Sequence, residues 1–82
     1  MEDKTMRATI YRVDGENQAF KTLREAKWHV HFAYTNNERI RWFGKEPSYI
    51  YGINKASEEV VSLIEIRVDE NGRETFGRAI KY

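Results

Sequence analysis

The stretch Thr22-Leu-Arg-Glu-Ala-Lys27 constrains this chain more than any other, because it commits to a helix within a sequence that otherwise alternates. Thr22 and Glu25 have the spacing of a capping box, in which the hydroxyl accepts from the Glu25 backbone N–H and the carboxylate reaches back. Leu, Arg, Glu, Ala and Lys are all strong helix formers. The helix is expected from about Leu23 to Tyr34 or Thr35, with Asn36-Asn37 as a left-handed exit. Trp28–Tyr34 also alternates as a strand would. The helix is preferred because Thr22–Lys27 alone is too short to stand as one.

Strands are expected on both sides of this helix. Met6–Val13 places Met6, Ala8 and Ile10 on one face and Arg7, Thr9 and Tyr11 on the other, the period of a strand. Asp14-Gly15 suits a type I′ turn, with Glu16–Phe20 pairing back as a second, short strand. Glu38–Gly44 fits either an extended segment, with Ile40 and Trp42 on one face, or one more helical turn. Glu46-Pro47 ends whatever precedes it, because proline pushes the residue before it toward extended geometry. Ser48–Ile53 is a strand by composition, Asn54–Ser57 a turn, and Glu59–Val68 the longest apolar strand. In the loop Asp69-Glu-Asn-Gly72, Asp69 suits the first position and Gly72 a left-handed bulge. That loop pairs Asp69 with Arg73, which sets Ile66 opposite Phe76 and Ile64 opposite Arg78. The pattern ββαβββ predicts an α+β fold, a single helix packed on a mostly antiparallel sheet of four to five strands. Residues 1–82 are read as a single compact domain, with residues 1–5 disordered.

At ~100° per residue, Leu23, Ala26, Val30, Ala33 and Tyr34 fall in one narrow arc of the helix. The expected core sets Leu23, Ala26, Val30 and Ala33 against Ile64, Ile66, Val68, Phe76 and Ile80. Trp28 and Phe32 lie on the far side, spaced i and i+4, so they touch each other. A helix lying on one sheet buries only one side, so this pair needs a second cover. The segment Arg39–Phe43, with Trp42 or Phe43 folding back, a partner chain or a ligand would each supply it. Sheet tyrosines Tyr49 and Tyr51 are expected beneath the helix.

The chain has no cysteine, which excludes disulfides, thiolate metal sites and cysteine nucleophiles. No apolar run approaches the ~18 residues of a membrane span, so no membrane contact and a cytoplasmic location are expected. His29 and His31 lie ~200° apart on a helix and cannot share one ion. Glu25 and His29, at i and i+4, suggest a surface ion pair. Ser48, Ser57 and Ser62 lack a nucleophile-elbow context, and Glu58-Glu59 and Asp69-Glu70 flank turns. The glycines form no phosphate loop. These observations predict a non-enzymatic chain with no metal, no cofactor and no small-molecule substrate.

Charge is unevenly spread. Lys21, Arg24, Lys27, Arg39, Arg41 and Lys45 face only Glu25 and Glu38 in residues 21–45, a balance of +4 within a chain of net charge +1. Trp28, Phe32, Tyr34, Trp42 and Phe43 fall in the same stretch. The leading expectation is a protein-interaction module, a homodimer or a complex with another protein. Its contact is Trp28 and Phe32, rimmed by Arg24, Lys27 and Glu25. The alternative is nucleic-acid binding through segment 21–45, with Lys21, Arg24, Lys27, His31, Arg39 and Arg41 on phosphates and Trp28 or Trp42 stacking on bases.

Phe20-Lys-Thr-Leu-Arg-Glu-Ala-Lys27 resembles the strand-to-helix junction of the small amino-terminal DNA-binding domains of tyrosine-type integrases. The resemblance covers about eight residues, or up to ~20 with the preceding strands. It implies three strands before the helix and a sheet that reads DNA. This chain departs from that order, with two short strands before the helix and a three-strand tail after it.

Overall fold

The computed structural model describes residues 7–81. The expected disorder of residues 1–5, and the facing of Met6, lie outside the described residues. The elements in chain order are β1 (Ile10–Val13), β2 (Ala19–Phe20), α1 (Leu23–Ala33), α2 (Asn36–Ile40), β3 (Ser48–Asn54), β4 (Glu59–Val68), β5 (Glu74–Phe76) and β6 (Ile80–Lys81). The fold is α+β: one main helix on a curled antiparallel sheet in the order β2-β1-β3-β4-β5, with β6 also paired to β4.

Alternation decides which residues face the helix. Val13 of β1, Ile50 of β3 and Ile64 and Ile66 of β4 form the core with Ala26 and Val30 of α1, and Tyr11, Phe20, Leu23 and Phe76 pack around it. The expected core is thus right at its centre but misses β1 and β3. Ala33 is exposed and Val68 half-buried. Tyr49 and Tyr51 flank Ile50 in β3, so they point away from the helix rather than beneath it.

The closing hairpin has the expected register, Ile66 opposite Phe76 and Val68 opposite Glu74. Asp69 N–H donates to Arg73 O at 3.0 Å, and Asp69 Oδ1 accepts from the N–H groups of Asn71 and Arg73, each at 2.9 Å. Gly72 takes a φ of 80°, the left-handed geometry that the bulge requires. The return strand does not run through, however. Gly77 still pairs with Glu65, but Ile80 lies opposite Leu63, one residue out of step. That single extra residue moves Ile80 to the other face, where it is 54% exposed, and replaces the expected Ile64–Arg78 pairing. The expected return strand therefore breaks into β5 and β6, so that among the described residues β6 adds a short sixth strand to the five of the main path.

Two local expectations are corrected. Only Gly15 has positive φ in the first turn, closed by Glu16 N–H to Val13 O at 3.0 Å, so it is not a type I′ turn; β2 shrinks to Ala19–Phe20. Asn36-Asn37 is no left-handed exit either. Thr35 and Glu38 form a reciprocal capping box, which starts α2 directly after α1 and makes the ambiguous segment helical as far as Ile40, with Arg41–Gly44 a turn. The chain therefore has a second, short helix beside the one expected. The integrase-like junction is a capped helix start, with β1 and β2 alone before it among the described residues.

Candidate functional site

The most unusual surface begins with the periodicity of α1. Thr22 caps it, its hydroxyl accepting from Glu25 N–H at 3.1 Å, while Glu25 Oε1 accepts from Lys21 N–H at 3.1 Å. With Ala26 and Val30 turned to the sheet, Trp28 and Phe32 are turned outward. Their rings stack at 4.8 Å between centroids, 4° from parallel. Trp28 is 48% and Phe32 71% exposed. The His31 ring meets Phe32 edge-on at 4.7 Å and Trp28 at 5.7 Å. These three rings form a ridge along the helix.

Nothing in the 39–45 segment covers that ridge. Trp42 packs instead against the Tyr34 ring, 4.8 Å away, and Phe43 is 53% exposed. The cover that a folded-back Trp42 or Phe43 would have supplied is absent among the described residues.

A shallow groove flanks each side of the ridge. Between α1 and β5, about 510 Å³ is lined by Leu23, Arg24, Lys27, Trp28, His31 and Phe76, with Glu74 at its end. Leu23 and Phe76 supply the apolar floor, and Lys27 Nζ lies 5.1 Å from the centre of the Phe76 ring. On the β2 side, about 790 Å³ is lined by Phe20, Lys21, Glu25, Trp28, His29 and Phe32 among others.

Two polar clusters tie α1 to its surroundings. Glu74 receives Arg39 Nη1 on one oxygen and His31 Nδ1 on the other, each at 2.6 Å. Arg39 Nη2 also donates to Val30 O at 2.9 Å and to His31 O, so it satisfies two carbonyls near the C-terminal end of α1. Burial alone would raise the Glu74 pKa, but the His31 hydrogen bond, its backbone bond and the Arg39 and His31 charges hold it below the ordinary carboxylate range. In the second cluster, Glu16 meets His29 Nε2 at 2.6 Å and accepts from Tyr34 Oη–H at 2.8 Å. Burial, then this bond and the charges of Glu16 and Glu38, raise the Tyr34 pKa. The expected Glu25–His29 ion pair does not form, because capping occupies Glu25 and Glu16 takes the histidine.

The structure divides the residues expected to bind nucleic acid. Lys21, Arg24 and Lys27 do gather along the ridge with Trp28. Arg39 does not: it is 4% exposed, with its charge answered by Glu74. His31 is paired, Trp42 is spent on Tyr34, and Arg41 caps the C-terminal end of α2 and lines neither groove. Sequence reasoning missed the roles of Glu16, Glu74 and Phe76. Glu74 and Phe76 come from the distant β5 and Glu16 from the loop between β1 and β2, and only the repeat of Thr22…Glu25 spacing at Thr35…Glu38 could have placed α2 and brought Arg39 to Glu74. Among the described residues no three His, Asp or Glu side chains gather as metal ligands, and no helix is long and apolar enough to cross a membrane. Comparisons of the chain with protein-family models, with curated proteins and with solved structures find no match.

Proposed function

We propose that this chain is a small, non-enzymatic protein-interaction module whose contact surface is the Trp28–Phe32 ridge of α1. One observation carries the reading: two large stacked aromatics stay open to solvent while the nearest aromatic loop packs elsewhere. Monomeric proteins seldom leave such a patch uncovered. Covering what is exposed of the two rings would remove on the order of 250 Å², worth ~6 kcal/mol at ~25 cal/mol per Å². Association costs at least ~4 kcal/mol in lost freedom, so the ridge alone supports only weak binding and the flanking grooves must contribute. A binding role also suits the polar clusters. Glu74 and Glu16 are each held by two partners, which makes them struts rather than free acids or bases.

The occupant is either a second copy of the chain or another protein. Sedimentation at several concentrations, together with iodide quenching of tryptophan fluorescence, tests the reading. The expected result is a Trp28 that quenches readily in the monomer and is shielded only in a complex. A strict monomer at high micromolar concentration with both tryptophans shielded would overturn it, because an intramolecular cover would then exist. The nucleic-acid reading keeps Lys21, Arg24, Lys27 and Trp28 as its contacts. Oligonucleotide binding that weakens steeply with salt would favour it instead.

A further inference from the structure

We infer that the ridge takes an acidic amphipathic protein segment, with an apolar side chain anchored in the groove between α1 and β5 and carboxylates facing Arg24 and Lys27. This rests on the interaction-module reading and names its partner by charge. Along the exposed face of α1, Lys21, Arg24 and Lys27 stand against Glu25 alone, and the Glu25 carboxylate is bonded to the Lys21 backbone. Among the described residues no carboxylate pairs with Arg24 or Lys27; the one acid in the groove, Glu74, is already bonded to Arg39 and His31.

The groove is therefore apolar at its floor, through Leu23 and Phe76, and carries at its rim two cations that no carboxylate of the described residues answers, with Lys27 resting over the Phe76 ring. A second copy packed about a two-fold axis would offer the same patch, whose acids Glu25 and Glu74 are already bonded, so it brings no free carboxylate to Arg24 or Lys27. A nucleic-acid strand would answer the cations but leave the Leu23–Phe76 floor unfilled. It would also find the inner faces of Trp28 and Phe32 closed by their own stack. An apolar side chain among carboxylates satisfies both the floor and the rim, the arrangement of a peptide read by apolar anchors in a groove.

A random linear-peptide display library, selected on the purified chain, tests this. Enriched peptides should carry net negative charge and at least one large apolar side chain, and their affinity should fall with added salt. Arg24→Glu/Lys27→Glu and, separately, Trp28→Ala should each weaken the best peptide by about tenfold or more, with circular dichroism unchanged from the parent. A charge-reversed form of that peptide should regain binding to the Arg24→Glu/Lys27→Glu variant. Neutral or basic enriched peptides, or binding that needs Trp28 but ignores Arg24 and Lys27, would overturn the inference and leave the module reading standing. A dimer lost on Trp28→Ala would do the same. No enrichment from a strictly monomeric chain would overturn both, as would oligonucleotide binding in place of peptide.

Discussion

Arg39 is the residue whose role changes most between chain and fold. Read in sequence it is one cation in a basic stretch. In the structure it is buried, bonded to Glu74 and to two carbonyls of α1. Removing one partner of a buried ion pair leaves the other charge uncompensated. Arg39→Ala should therefore cost about 3 kcal/mol in urea unfolding. Arg41→Ala, on an exposed side chain, should stay within about 0.5 kcal/mol. Glu74 adds a pH dependence. Its folded pKa is depressed, so its contribution is fully present above the unfolded carboxylate value and is lost as pH falls through the folded one. Urea midpoints measured from neutral pH down to about 3 should show the parent losing stability below about pH 4.5, and Glu74→Gln losing less over that window.

At the scale of elements, short-range signals and close contacts carry different weights. Both Thr-x-x-Glu spacings were equally present in the chain and each threonine caps its helix, but only Glu38 closes the reciprocal box, since Glu25 accepts from Lys21 N–H and not from Thr22. Thr22→Ala and Thr35→Ala should each cost about 1 kcal/mol by thermal melting. The glycines separate intrinsic from tertiary cost. Gly15 and Gly72 both have positive φ, but a Cβ on Gly15 meets open space, whereas one on Gly72 would lie 2.8 Å from Asn36 O and 3.0 Å from an Ile40 side-chain carbon. Gly15→Ala should cost about 1 kcal/mol and Gly72→Ala clearly more, because the hairpin loop must also move away from α2. If the two variants melted together, the packing of that loop on α2 would be wrong. The strands were legible where alternation was long, as in Glu59–Val68. They were not where a one-residue slip intervened, since neither composition nor periodicity marks the step between Gly77 and Ile80.

For the molecule as a whole, the core and the ridge make opposite demands on α1. Val30 is fully enclosed between helix and sheet, so Val30→Asp should bury an unpaired charge and abolish the cooperative melt, while Glu70→Ala at the exposed loop tip should leave it unchanged. The ridge faces away from that core. Trp28→Ala/Phe32→Ala should keep the parent's circular dichroism and lie within about 1 kcal/mol of its stability, the cost of one exposed stacking pair. Loss of folding in that double variant would make the ridge a structural element and remove it as a contact surface. The ridge itself was legible, because Trp28 and Phe32 lie opposite Ala26 and Val30 at helical spacing. Whether Trp42 or Phe43 covers it was not legible, because that depends on where α2 turns the chain.

The helix start at Thr22, the two-sided character of α1, the register of the Ile66–Phe76 hairpin and the ββαβββ order were all written in local stretches of the chain. These follow from capping chemistry, turn geometry and periodicity, which act within a few residues or between strands joined by a tight loop. Tertiary structure alone decided that β1 and β3 supply half of the sheet side of the core and that Ile80 turns outward. It also decided that Arg39 is buried with Glu74 and that Trp28 and Phe32 stay uncovered. Each of these depends on which distant segments meet, and the free energy that selects among such meetings belongs to the packed whole rather than to any local stretch.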